Sequence, residues 1–542
     1  MLLGRKCQRS ASIRALTVAS LAAGGVVVWP GQAFAAICDK NNLAARGDLD
    51  GDAKPDVAVG LPDLDGGTGA VDARGTHTAA KVLRPKDLSV GTGKGDRFGT
   101  SVVITDLDAD GCADLIIGAP GEGAPALKDK NLRKRFGAGR PGQVHIVFGS
   151  PQGILARGAG LLMHPTSAEG DGFGSSLAVV PRQTKDGVVR DLYVGAPGAE
   201  VGKAREAGEV FRFTITPAAL TKATAEAAAN HTGAKKRIVV SGGAARQQGA
   251  GGVPDQAEPG DRFGSVLVGV EGGTASNGVL VGTPAEDVGR LVDAGSVTYL
   301  PTTRAGAAAP AEQWTQDSVG VPGEAEAGDR FGASVGSRGA WVAVGVPGED
   351  IAEIADAGTV QVFERLPSGS EGLVPRQTLT QESTDGPGEL EPGDRFGEAV
   401  AVGVGLACPK RPAVAVGAPG EDVGDVVDAG SVTLAVLDDR ASCWPRVLTQ
   451  GVGGVSGAPE AGDRFGAAVT ALRGNAGYGE RYADSLIVGA PGEDVEAARD
   501  AGSIQPIADS LTVDGVAKPW LQYSGGLAAE TRYGTVLPGS SD

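Results

Sequence analysis

One recurring phrase constrains this chain more than any other feature. It is clearest from Gly393 to Val432: Gly393-Asp394-Arg395-Phe396-Gly397, an alternating apolar run, Val416-Gly417-Ala418-Pro419-Gly420-Glu421-Asp422, then Asp428-Ala429-Gly430-Ser431-Val432. The opening word recurs unchanged at Gly95–Gly99, Gly260–Gly264, Gly328–Gly332 and Gly462–Gly466. Degenerate forms, Asp171-Gly172-Phe173-Gly174 and Thr531-Arg532-Tyr533-Gly534, make seven. The second word begins at Gly60, Gly118, Gly195, Gly282, Gly345, Gly417 and Gly489, also seven. The word at Gly60 has no Phe-Gly word before it, and the word at Tyr533 has no partner after it. The two ends therefore complete each other, as in a closed ring whose C-terminal strand fills the vacancy left at the N-terminus and leaves no sheet edge exposed.

These words, in this number and order, resemble the FG-GAP repeats of integrin α-subunits and of many secreted bacterial proteins. The resemblance covers nearly the whole chain after its leader. The expected fold is all-β: a seven-bladed β-propeller of four-stranded antiparallel blades, closed by the C-terminal strand. Alternating apolar residues and Gly/Pro/Asp punctuation place the strands of the sixth unit at Glu398–Gly405, Ala413–Val416, Gly430–Val436 and Pro445–Thr449. Each Phe is expected to pack between blades, and the Gly beside it to let the innermost strands approach near the axis. Trp314, Trp444 and Trp520 recur at the start of strand four, as packing residues. Insertions at Glu122–Arg140, with a basic cluster, and at Thr216–Pro259, with a helix-prone Ala218–Ala229, are expected to project from the ring.

The first 35 residues read as a secretory signal peptide, with Arg5, Lys6, Arg9 and Arg14, an apolar stretch from Ala15 to Val28, and Ala33-Phe34-Ala35 before the cleavage point. Residues 36–542 would form the propeller, exported to the extracellular space. Four cysteines follow the leader, and their placement suggests the pairs Cys408–Cys443, within one unit, and Cys38–Cys112, between units one and two. A formal net charge of -17 argues against nucleic acid or an anionic membrane surface as partner.

The sharpest chemical signal is a pair of aspartate loops in equivalent places, Asp48, Asp50, Asp52 and Asp56 before Val57–Val59, and Asp106, Asp108, Asp110 and Asp114 before Leu115–Ile117. Carboxylates at loop positions one, three, five and nine, with a carbonyl at seven, can surround Ca²⁺. Val59 and Ile117 stand where an EF-hand needs its bidentate acid, so that motif is excluded. The spacing resembles the calcium loops of integrin-type blades, which implies these eight aspartates as side-chain ligands. Gly111 supplies the usual sixth-position glycine, whereas Ala53 does not. Arg46-Gly47-Asp48 spells an adhesive tripeptide whose Asp is already committed to this loop.

A second repeated pattern sets Arg262, Arg330, Arg395 and Arg464 on the same face as Glu286-Asp287, Glu349-Asp350, Glu421-Asp422 and Glu493-Asp494. Arg–carboxylate clamps are expected there, with an acidic ligand-binding ring as the alternative; unit two keeps Arg97 but reads as having lost its acidic pair. The four histidines are scattered and no hydrolase elbow, zinc motif or phosphate loop occurs. The resemblance implies a monomeric, calcium-stabilised binding or adhesion module for an extracellular protein or glycan, without membrane insertion. An extracellular hydrolase or lyase on the same scaffold is the alternative.

Overall fold

In the computed structural model the described residues run from 47 to 539, apart from 53, 76–77, 79, 89–92, 124–138, 165–167, 218–237, 271–276, 366–371, 383–388, 439–442, 444, 453, 474–482, 508–519 and 522–529. The chain divides into two units, Met1–Ala36 and Ile37–Asp542. Residues 1–35, Cys38, Arg46, Trp444, the side chain of Trp520, residues 124–138 of the first expected insertion and 218–237 of the second lie outside the described residues. The rest of the second, Thr216–Pro259, does not project as expected: Ile238–Arg246 pairs with Glu209–Pro217 as the fourth strand of blade three.

Seven antiparallel sheets follow one another around a ring. Blade two is typical, with strands Ser101–Thr105, Asp114–Ala119, Gln143–Phe148 and Leu155–Leu162 in sequence order. The sixth blade, Ala399–Val404, Pro412–Ala418, Ser431–Val436 and Arg446–Leu448, matches its expected strands to within two residues at each end. Blade three has an unusually long first hairpin, Leu177–Thr184 paired with Gly187–Ala196. Because each blade is a meander, its one–two and three–four turns lie at one end and its two–three turn at the other.

The core is divided into seven slabs, one between each pair of neighbouring blades. Ala343, Val360 and Val362 of blade five, for instance, pack on Phe396, Val414 and Val416 of blade six. Every aromatic residue of the opening word is sealed in such a slab: Phe98, Phe173, Phe263, Phe331, Phe396, Phe465 and Tyr533 are all fully buried. The glycine beside each aromatic residue makes a close approach between neighbouring blades. This approach joins the Gly of one blade's opening word to the Gly of the preceding blade's second word. A Cβ on Gly417 would meet the Gly466 carbonyl oxygen at 2.0 Å, and the same clash recurs at Gly60 with Gly99, Gly118 with Gly174 and Gly489 with Gly534. Both words are therefore two sides of one interblade contact, which any side chain would force apart.

The ring closes as the order of words predicts. Blade one contributes three strands, Val57–Leu61, Ala70–Arg74 and Lys81–Leu83. Its missing position is taken by the C-terminal segment, where the Gly60 amide donates to the Val536 carbonyl at 3.1 Å and the Gly539 amide to Val102 at 2.9 Å. Cys408 and Cys443 form a disulfide within blade six, their Cα atoms 5.8 Å apart. Cys112 is disulfide-bonded as well; its expected partner, Cys38, lies outside the described residues. Among the described residues no helix is long and apolar enough to cross a membrane.

Candidate functional site

Both aspartate loops are wound by their own backbone. Asp48 Oδ1 accepts the amides of Asp50, Gly51 and Asp52, while Asp106 accepts those of Ala109 and Gly111. The last aspartate of each loop reaches back to the buried leucine that anchors it: Leu49 N donates to Asp56 Oδ2 at 2.7 Å and Leu107 N to Asp114 Oδ2 at 2.8 Å. Gly51 and Ala109, at equivalent positions, adopt φ of 75° and 60°, so the second loop imposes a left-handed turn on a residue with a side chain. The first loop is also tied outward: its Asp48 and Leu49 carbonyls accept from Ala113 and Ser150 of blade two, and Asp50 Oδ2 accepts from the Thr78 amide and hydroxyl.

This winding gathers three of the four expected carboxylates in each loop. Oxygens of Asp48, Asp50 and Asp56 lie within 4.8 Å of one another, as do those of Asp106, Asp108 and Asp114. Two oxygens on opposite sides of one calcium ion stand at most about 5 Å apart, so the spacing fits that ion. Asp52 and Asp110 are not in these sets; their Oδ1 atoms cap the Lys54 and Cys112 amides instead. Burial, then the Asp108 and Asp106 carboxylates, push Asp114 well above the usual carboxylate range, and burial raises Asp106. A cation held among these groups would relieve that repulsion.

The expected Arg–carboxylate clamps do not form. Arg262 pairs instead with Glu206 of the preceding blade at 2.5 Å, and Arg97 approaches Asp63 at 3.5 Å. Arg330, Arg395 and Arg464 make no ion pair among the described residues; each sits at a left-handed corner whose amide donates to Asp293, Asp356 or Asp428. The glutamates of the expected acidic pairs turn inward. Asp287, Asp350, Asp422 and Asp494 accept the backbone amides of Asp293, Asp356, Asp428 and Asp500. Unit two has kept its glutamate: Glu122 is fully buried, 2.6 Å from His145 Nε2.

What the sequence reading missed is a glutamine. Gln248, Gln316, Gln381 and Gln450 each cross from one blade to donate to Glu286, Glu349, Glu421 and Glu493 of the next. Each glutamate is grouped with the aspartate of its own opening word. The interval from glutamine to that aspartate is constant (248 to 261, 316 to 329, 381 to 394, 450 to 463), the signal that could have revealed it. Burial first, then the neighbouring carboxylate, raises Glu286 to about 9, Glu421 to about 8 and Glu493 to about 7; burial raises Asp329 to about 7 and Asp261, Asp394 and Asp463 to about 6.

Raised carboxyls keep protons that the unfolded chain releases, so their stabilisation is present in acid and lost as pH rises from the ordinary carboxylate range through the folded values. Each retained proton is worth about 1.4 kcal/mol per pH unit before a discount for solvent screening of these half-buried groups, which for a chain of this length predicts a fall in melting temperature on the order of 10 °C between pH 5 and 8 at saturating calcium. Replacing all four glutamates by Gln should flatten that profile. An unchanged slope in the fourfold variant would show that these pairs do not cause it.

The pattern described as FG-GAP repeat matches residues 98–147, the span from Phe98 to Val147 in blade two. Two relatives align over parts of the chain. Rat phosphatidylinositol-glycan-specific phospholipase D is 35% identical over 123 residues, 22% of this chain, and Xenopus laevis integrin alpha-5 is 32% identical over 178 residues, 32% of this chain. The matches span only 13% and 15% of those proteins' own lengths. Among solved structures, cobalt-substituted Synechocystis ACO covers 92% of this chain, with 94% of its own chain aligned, at 10% identity and a TM-score of 0.39.

Proposed function

The chain is an FG-GAP repeat β-propeller, and from that premise we propose that it is a monomeric, calcium-stabilised binding module that recognises an extracellular protein or glycan, in the manner of an adhesion domain. The observation that carries this reading is the pair of three-carboxylate clusters on adjacent blades. Asp48, Asp50 and Asp56 would hold one ion, and Asp106, Asp108 and Asp114 the other. Bound there, calcium supplies charge neutralisation and rigidity to the turns joining strands one and two. The similarity to integrin alpha-5 supports a recognition role and that to phospholipase D the alternative, an extracellular hydrolase or lyase, although each match spans a minor part of the relative.

A direct test presents the purified protein to immobilised matrix proteins and a glycan panel, with calcium and with a chelator. Saturable binding that the chelator abolishes is the expected result. Turnover of ester, glycosidic or uronic-acid substrates, with no retained ligand, would replace the binding reading with the enzymatic one.

A further inference from the structure

The interface between blades three and four differs from the others at the end that carries the one–two turns. Three arginines of blade three, Arg182, Arg212 and Arg246, converge there on the hairpin that follows Ser296–Thr302 of blade four. Arg182 is fixed by a two-point contact with Asp191, Nε at 2.6 Å and one Nη at 3.1 Å, and its guanidinium lies so close to Gly306 that an added Cβ there would meet it at 3.0 Å. Arg212 donates to the Thr302 hydroxyl at 3.1 Å and to the Gly306 carbonyl at 2.5 Å. Arg246 reaches the Ala309 carbonyl at 3.5 Å, and its Nε is buried with no acceptor among the described residues. Burial holds this guanidinium below its ordinary pKa, with Arg212 adding to the effect.

A hollow of about 510 Å³ opens beside them, lined by Arg182, Gln183, Thr184, Lys185, Arg304 and Ala305. Lys185 comes from the tip of blade three's long first hairpin and Arg304 from the three–four hairpin of blade four. Both are exposed, and neither has a carboxylate partner among the described residues. Asp191 offsets Arg182, so the hollow keeps two uncompensated cations. No aromatic ring is among its lining residues, so recognition there falls to the cations and to the polar Gln183 and Thr184. In a chain of net charge -17, a concave cationic site stands against the surrounding field.

We propose that this hollow binds a sulfate or phosphate ester, with Lys185 and Arg304 as its cationic arms and Arg182, locked by Asp191, as its back wall. Two cations brought to one hollow from hairpins of neighbouring blades suit a dianionic ester or two neighbouring sulfates, and guanidinium suits tetrahedral oxyanions through paired N–H donors. The inference names a ligand chemistry for the binding module proposed above and rests on that reading.

Titration calorimetry on the whole protein, at low and at physiological salt, tests it with three probes: a sulfated heparin tetrasaccharide, glucose 1-phosphate and a desulfated tetrasaccharide. The expected result is saturable binding of a charged probe, weakened by salt, with no binding of the desulfated one. Because Lys185 and Arg304 are exposed, Lys185→Gln with Arg304→Gln should leave the melting temperature unchanged and weaken affinity about tenfold or more, the value of one charge-assisted contact. Binding of the sulfated probe alone assigns a sulfated glycan; binding of glucose 1-phosphate alone assigns a phosphate ester. No binding of either charged probe, or equal affinity in the double variant, overturns the site. Calcium-dependent capture of a protein or glycan would then still stand on its own assay, so the two readings fail separately.

Discussion

Deleting residues 530–542 is expected to abolish cooperative folding of the ring. The removed segment makes three separate attachments: Gly60 to Val536, Thr470 to the Pro538 carbonyl, and Gly539 to Val102, which join it to blades one, seven and two. It also supplies Tyr533, fully buried, whose hydroxyl donates to Asp72 at 2.8 Å and whose ring packs in the slab between blades seven and one with Val57, Val59, Ile487 and Ile504. Without it, strand Val57–Leu61, buried along its whole length, becomes an open edge that can pair with other chains. The truncated protein should elute as soluble aggregates and lose its sharp thermal transition. The milder Tyr533→Ala should cost about 3–5 kcal/mol, as large-to-small changes in packed cores do. A monomeric truncated protein that melts at the parental temperature would mean that the seam does not hold the ring.

Chelation is expected to lower the melting temperature of the intact protein by about 5 °C, since two sites occupied at a hundredfold excess over their dissociation constants together contribute roughly 5 kcal/mol. The useful comparison is the calcium-dependent shift within each variant, because Asp50 also holds Thr78 and its replacement costs something without any metal. Asp50→Ala and Asp108→Ala should each remove about half of the shift, and the double variant nearly all of it. Equal shifts in parent and double variant would place the ion elsewhere; no shift in the parent would remove calcium from the proposal. The first loop bonds to blade two through Ala113 and Ser150, so an effect on both blades is expected from either site.

The aspartate clusters were legible before any coordinates because their members lie within nine consecutive residues, where a tight turn leaves few arrangements. Even there, the alternation does not record that Asp52 and Asp110 each turn one oxygen to the backbone amide two residues on. The arginines of the opening word misled for a different reason. Recurrence beside a recurrent acid suggests a pair, but a left-handed corner aims Arg330, Arg395 and Arg464 away, and the glutamates are claimed by glutamines arriving from the blade before.

From residue order alone came the number of blades, the closure by the C-terminal segment, the strands of the sixth meander and the aspartate loops. Each is written in short-range patterns repeated around the ring. Tertiary structure decided what meets across blades: the paired glycines, the glutamine–glutamate–aspartate groups, and a cationic hollow built from Lys185 and Arg304. Those contacts join residues far apart in the chain, and no local periodicity records which side chains the twist and stagger of neighbouring blades will bring together.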